Sequence, residues 1–438
     1  MKKWLTLALA LVMALCMVSG AMAASLELIR EDSRDLVWLD GTDLLLVKPE
    51  GEFHSGSVYN VNGEQVSDKV FSSSAIFGGR FTYGCVTEMG EGLNRSGLMS
   101  NDGRLVVPCE YGDVIIFENW AIAVKLEKWD GEDYDYREFW DSEVHYGIVQ
   151  ADVYVLPEGK KVASLAREQY ADASAHNDRI NIMDRSGAVK TYDANFAVVG
   201  DVRNVYSDDL FVFDYSYVTD TETYADFIVD AQGNKITTPI YNGYSEAEFD
   251  DGYCVVCSDE TDLYGFINTQ GVEVVPCAYE EVESMFSLPY VTYRGNTYAK
   301  NFGGYAVVSR DDQVAYVSLE TGKETTAFIP EDDVEVNGLS FEIEGEDDSV
   351  TILTCTGVQN TYTEAQYSDF DVLMNTAGRL YRVAKETEDY HEYYGVIDME
   401  GNELLPCTYS YDIKASGSGN YLLVGTQDEM YRIYKVTY

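Results

Sequence analysis

Acids and aromatic rings crowd residues 127–143, EKWDGEDYDYREFWDSE, where Trp129, Tyr134, Tyr136, Phe139 and Trp140 are interleaved with carboxylates. Aromatic faces beside hydrogen-bonding carboxylates suit sugar rings, and dense carboxylates suit calcium. Trp129, Tyr134, Tyr136 and Trp140 are therefore the candidate binding residues, for a glycan or a protein. Calcium has no motif behind it, because glycine falls at the second position of DGEDYD and breaks the EF-hand spacing. No metal site and no other cofactor is expected. The competing reading makes this stretch a long insertion whose aromatics fold back onto the scaffold.

Other chemistry is sparse. His54, His145, His176 and His391 stand in unrelated contexts, with no H-E-x-x-H among them, and the chain has no G-x-S-x-G and no phosphate-cradling glycine loop. With 76 acids, a carboxylate pair able to hydrolyse a glycosidic bond could be drawn almost anywhere. A carbohydrate-active hydrolase is accordingly the alternative, and a non-catalytic binding protein is the expectation. Cys254 and Cys257 form a C-x-x-C, but residues three apart on a strand point to opposite faces, which favours packing over redox or metal chemistry.

What must position any site is a recurring unit. YGFINTQGVEVVPCAY from Tyr264 is echoed by YGVIDMEGNELLPCTY from Tyr394 and SGLMSNDGRLVVPCEY from Ser96. Tetrapeptides closing on glycine recur at Gly63, Gly103, Gly187, Gly233, Gly271, Gly322, Gly378 and Gly401, and seven of the eight open with Asn, Asp or Ser. Such residues cap a type I turn by bonding backbone amides, and glycine takes the left-handed conformation that ends it. Gly103, Gly187, Gly233, Gly271 and Gly401 are thus expected as structural turn residues. The two positions before each tetrapeptide are apolar in fifteen of sixteen cases, and polar–apolar alternation follows the glycine, so each unit reads as a β-hairpin. With a degenerate turn at Gly159, the 338 residues from Gly63 to Gly401 hold eight intervals of about 42 residues. Segments such as WAIAVKL from Trp120 and GYCVVCS from Gly252 supply a third strand. The single helical candidate, residues 160–179, lacks a clean apolar stripe.

The expected fold is all-β, tandem β-hairpin repeats in a β-propeller-like array, which hides sheet edges; the alternative is an open β-repeat superhelix. Proline in the recurring Pro-Cys is expected to end the second hairpin strand, since it cannot donate to a ladder. The three cysteines beside it, Cys109, Cys277 and Cys407, are expected as buried structural thiols.

The unit G-[aromatic or aliphatic]-I-D-x-x-G-x-x-[V/L]-[V/L]-P-x-x-Y resembles the bacterial WG repeat, closely at residues 265–279 and 395–409 and well at 97–111. The resemblance implies an exported chain of tandem β-rich copies that binds or scaffolds. The eponymous tryptophan is replaced by Tyr264, Tyr394 and Ser96, so a tryptophan-dependent ligand contact would not carry over.

Lys2 and Lys3, an apolar run and Ala21-Met22-Ala23 before Ala24 read as a signal peptide over residues 1–23, leaving 24–438 as the repeat array with its insertion near 127–143. An uncleaved membrane anchor is the rival. The expected location is secreted or associated with the cell envelope. Formal charge is −46, and −48 without the leader's two lysines. Such a surface repels nucleic acid and anionic membranes, leaving protein or glycan at the cell surface as expected partners. Cleavage would leave seven cysteines, and that odd number implies no tight disulfide framework.

Overall fold

A computed structural model describes residues 24–39, 41–49, 55–73, 83–88, 95–117, 119–129, 135–137, 145–176, 179–199, 215–219, 226–230, 234–237, 241–242, 249, 252–258, 260–282, 304–345, 349–410, 413–428 and 430–438. The described residues form nine antiparallel sheets of two to seven strands and no α-helix. The chain is all-β and built from tandem hairpins, as its turn periodicity predicts. No helix among the described residues is long and apolar enough to cross a membrane. Two compact units are distinguished, Asp35–Asp332 and Met1–Arg34 with Asp333–Tyr438.

Three hairpins share one register. Arg95–Ser100 pairs with Leu105–Tyr111, Tyr264–Asn268 with Glu273–Tyr279, and Glu392–Asp398 with Glu403–Tyr409. Ser96 faces Tyr111, Tyr264 faces Tyr279, and Tyr394 faces Tyr409. Two residues on, Leu98 faces Val107, Phe266 faces Val275, and Val396 faces Leu405. Three residues therefore oppose the single Gly97, Gly265 or Gly395, a bulge in each copy. The glycine admits the bulged strand: a Cβ would stand 2.6 Å from the Val107 carbonyl oxygen at Gly97, 2.5 Å from that of Val275 at Gly265, and 2.6 Å from that of Leu405 at Gly395.

The bulge also relocates proline. Pro108, Pro276 and Pro406 lie inside the return strands rather than at their ends. The expectation that proline terminates the strand is corrected, because a bulge removes these residues from the ladder and the missing N–H costs no hydrogen bond.

The turns follow the expected chemistry at most copies. Gly103, Gly271 and Gly401 donate their amides to the carbonyls of Ser100, Asn268 and Asp398 at 2.8, 2.8 and 2.9 Å, with φ of 82°, 71° and 87°. Gly187 does the same toward Asp184 at 3.0 Å, with φ of 86°. Gly233 lies outside the described residues. Capping is direct: Asn268 Oδ1 accepts from the amides of Gln270 and Val272, and Asp184 Oδ1 from those of Ser186 and Ala188. Two copies depart. Gly322 donates to Ser318 across a longer loop, and the NTAG stretch carries Asn375, Ala377 and Gly378 all at positive φ. Two further turns carry no glycine, since Phe196 and Tyr390 occupy the left-handed positions of DANF and TEDY at φ 59° and 60° and donate their amides to the carbonyls of Asp193 and Thr387.

Residues 160–179 contain the strands Lys160–Ala166 and Asp172–His176 joined through a single 3-10 turn, Arg167–Gln169. The third strand of the unit is present where an aromatic residue introduces it, at Trp120–Lys128, Tyr253–Ser258, Tyr305–Arg310 and Tyr421–Gly425.

Apolar cores sit between successive sheets. Ala121 and Ala123 join Leu98, Val107 and Tyr111 of the preceding sheet, whereas Trp120, Ile122 and Val124 of the same strand join Leu165, Ile180 and Ile182. A strand whose alternate residues feed opposite cores requires a neighbour on each side, the energetic logic of a repeat array. In the second unit, Ser25–Asp32 pairs with Tyr431–Thr437, so the first described strand completes the last sheet.

Candidate functional site

The recurring P-x-x-Y tyrosine ties each hairpin to the next sheet. Tyr111 Oη donates to Asp152 Oδ2 at 2.7 Å and lies 2.6 Å from Tyr154 Oη. Tyr279 Oη donates to Glu324 Oε1 at 3.2 Å, and Tyr409 Oη lies 3.2 Å from Tyr434 Oη. Asp152 is fully buried and also accepts from Gln150 Nε2 at 2.6 Å and Lys161 Nζ at 3.3 Å. Burial pushes its carboxyl up, but hydrogen bonds from Ser164, Tyr111 and Gln150 outweigh this and hold it below the ordinary carboxylate range.

The Pro-Cys thiols repeat a contact as well. Cys109, Cys277 and Cys407 donate Sγ–H to the carbonyls of Val86, Val256 and Val383 at 3.8, 3.9 and 3.7 Å. Burial pushes Cys109 up to about 11 and Cys277 to about 12, and raises Cys407. Thiols held protonated at neutral pH are poor nucleophiles. Among the described residues, no group of three or more His, Cys, Asp or Glu could hold a metal ion.

The acidic aromatic insertion leaves the hairpin formed by Trp120–Lys128 and His145–Val155. Its described residues are firmly rooted. Trp129 N donates to His145 O and Asp135 N to Tyr146 O, each at 2.9 Å, and Tyr136–Arg137 adds a short strand. Asp135 Oδ2 accepts from Ile148 N at 2.7 Å and Arg167 Nη1 at 2.8 Å, while Oδ1 accepts from Arg185 Nη2. Burial opposes ionisation of Asp135, and the Ile148 amide with both guanidinium groups overcomes it, holding the carboxyl below its usual range. The Arg167 guanidinium stands 4.0 Å from the Trp129 ring centroid, a cation–π contact. Beneath the same ring lies Gly147, where a Cβ would come within 2.7 Å of Trp129 Cε3.

Of the four candidate binding residues, Trp129 is thus engaged in the root of the insertion. Tyr136 has a described backbone only, and Tyr134 and Trp140 lie outside the described residues. Asp135, Arg167 and Arg185, which set the root, were not among the sequence candidates.

A second cluster lies in Val334–Val336 and Ser340–Glu344, where Glu335 faces Glu342 across the ladder. Burial, then repulsion from Glu335, Glu344 and Asp369, pushes Glu342 up to about 7. Asn337 Nδ2 donates to Glu342 Oε2 at 3.2 Å, and Ser340 Oγ lies 2.6 Å from Tyr381 Oη. A half-protonated carboxyl can act as a general acid at neutral pH.

Three sheets that each carry the same 16-residue hairpin, bonded through its last tyrosine to the sheet that follows, define the class: a tandem β-hairpin-repeat protein. Within that class, the family model for the WG containing repeat matches residues 97–129 and 264–287, so the chain carries WG repeats at these two places. No curated protein matches the chain. Among solved structures, it is similar to BamB from Moraxella catarrhalis, with 11% identity over 94% of this chain and 99% of that one and a TM-score of 0.27. The computationally designed Ika8 protein shares 11% identity over 74% of this chain and 95% of its own, with a TM-score of 0.26. A eukaryotic initiation factor structure shares 7% identity over 79% and 91%, with a TM-score of 0.37. Likenesses at these scores carry no statement about function.

Proposed function

We propose that this repeat scaffold is an exported, non-catalytic binding protein, secreted or held at the cell envelope, that takes a protein or glycan partner on the insertion of residues 127–143. The observation that carries the reading is the root just described: Asp135, clasped by Arg167 and Arg185, with Trp129 stacked on Arg167, anchors the described part of the acidic aromatic insertion to the sheet it leaves. Rigid scaffolds presenting loops are the common design of binding modules. The leader-like N-terminus and the high negative charge agree with work outside the cell.

The test is capture from cell-envelope extracts combined with a glycan array, using the wild type and the double variant Y134A/W140A. The wild type is expected to retain a partner in one format, and the variant to lose at least about tenfold in affinity, the scale of one or more aromatic anchors. Silence in both formats overturns the reading. The alternative, a carbohydrate hydrolase, is favoured by Glu342 alone; it would show as released sugar abolished by Glu342→Gln.

A further inference from the structure

Turn-capping residues in the other copies are half-buried, as Asn60, Ser100, Asp184 and Asn268 show, but Asp398 is fully buried. Its Oδ1 accepts from the amides of Glu400 and Asn402 at 3.0 and 2.8 Å. Its Oδ2 accepts from Asn402 Nδ2 at 2.8 Å and from the backbone nitrogen of Ala24 at 3.2 Å. Among the described residues, no lysine, arginine or histidine forms an ion pair with it. A buried carboxylate held only by neutral donors lacks the cation that would best offset its desolvation. Ala24 is itself buried, packed in the core with Leu373, Val396 and Leu422, and it leads directly into Ser25–Asp32, the strand that completes the last sheet.

We propose that hydrolysis of the Ala23–Ala24 peptide bond by a signal-peptide-cleaving protease makes Ala24 the N-terminus, and that its new α-ammonium is the cation of Asp398. Water adds across the bond: Ala23 keeps the carboxylate, and Ala24 keeps the amine, which takes up a proton at neutral pH because α-amino groups titrate near ~7.7–8.0. One amide donor becomes a positively charged group with three. Processing then does more than release a leader, since it creates an internal ion pair that fastens the first described strand, already paired with the last, to the separate sheet that holds Glu392–Asp398. The proposal rests on the export reading above but not on the identity of any partner.

The full chain is expressed in a secreting bacterial host, and the product's N-terminus is determined by intact mass and N-terminal sequencing. The result expected is Ala24. A processed product starting elsewhere overturns the ion pair while leaving export standing, and an unprocessed chain in the cytoplasm overturns both. A second full chain carries Gly-Ser inserted between Ala23 and Ala24, which moves the ammonium two residues away, and each form is made with and without Asp398→Asn. The insertion is expected to lower the melting temperature by about 3 °C or more with Asp398 present. It should also speed amide exchange of Ser25–Asp32 at least about tenfold. With Asp398→Asn, both effects should shrink severalfold. Equal effects in the two backgrounds, or no effect of the insertion beside Asp398, contradict the proposal; should Asp398→Asn fail to fold, the insertion alone decides.

Discussion

Gly395→Ala is expected to destabilise the protein by about 2–4 kcal/mol, and Gly265→Ala by a similar amount. The reason is spatial. The new methyl would stand 2.6 Å from the Leu405 carbonyl oxygen and 2.9 Å from Cys407 N, both backbone atoms that move only if the bulged strand moves. Gly187→Ala is the control. It has φ of 86° but nothing within 4 Å of the added carbon, so only the left-handed conformation is strained, at a cost of about 1 kcal/mol. Thermal and urea denaturation of the three variants measures the contrast. Equal losses at Gly395 and Gly187 would mean that the glycine of the repeat is there for its torsion and not for the approach of the opposite strand.

Asp152→Ala is expected to cost about 3–5 kcal/mol, because it strips the carboxylate from the buried Tyr111 hydroxyl, leaving it only Tyr154, takes the acceptor from the Gln150 amide and leaves Lys161 without this counter-charge. The pH dependence has a definite sign. A carboxyl held below its ordinary value contributes stability that is fully present above the unfolded value, 3.8, and is lost as pH falls through the lower folded value. The wild type should therefore lose stability in the acid range below about pH 4, and the variant should have a shallower acid limb. Melting curves from pH 7 down to pH 2 measure this. Parallel limbs in the two proteins would show that Asp152 titrates no differently folded than unfolded.

The hairpin was legible because its determinants are local. An Asx or Ser cap, a glycine three residues later and flanking apolar pairs specify a turn within a few residues, and Asn268, Gly271 and Ile267 take the places their types imply. The aromatic start of the third strand was equally visible at Trp120 and Tyr253. Proline was misplaced, because reading Pro276 as a strand end assumes a regular ladder, and only the bulge opposite Gly265 makes an interior proline cheap. The NTAG stretch looks like the rest, and LETG departs only in its opening Leu319 and the Ser318 before it, yet Gly322 and Gly378 close different loops; a tetrapeptide does not encode the length of the connection around it. The tyrosine of P-x-x-Y was visible as a repeat, but its role was not. The partners of Tyr111 and Tyr279, Asp152 and Glu324, lie 41 and 45 residues further on and share no motif.

The site divides in the same way. Composition drew attention to residues 127–143 and to Trp129. It could not point to Arg167 and Arg185, which stand 32 and 50 residues beyond Asp135 and reach it only because successive sheets bring them there. Glu342 was similarly hidden among many acids, since burial and three acidic neighbours, rather than any local pattern, raise its carboxyl.

Residues 96–111, 264–279 and 394–409 share one length, one register and one bulge, and should therefore be interchangeable. The decisive experiment replaces residues 264–279 by the sequence of residues 394–409, with the same graft displaced by one residue as comparison. The in-register graft should keep a β-type circular dichroism spectrum and a cooperative transition, lowered by about 10 °C at most for the Phe266→Val volume loss it includes. The displaced graft should not fold, since a one-residue slip turns every core side chain to the opposite face. An in-register graft that unfolds, or a displaced graft that is tolerated equally well, would contradict the account.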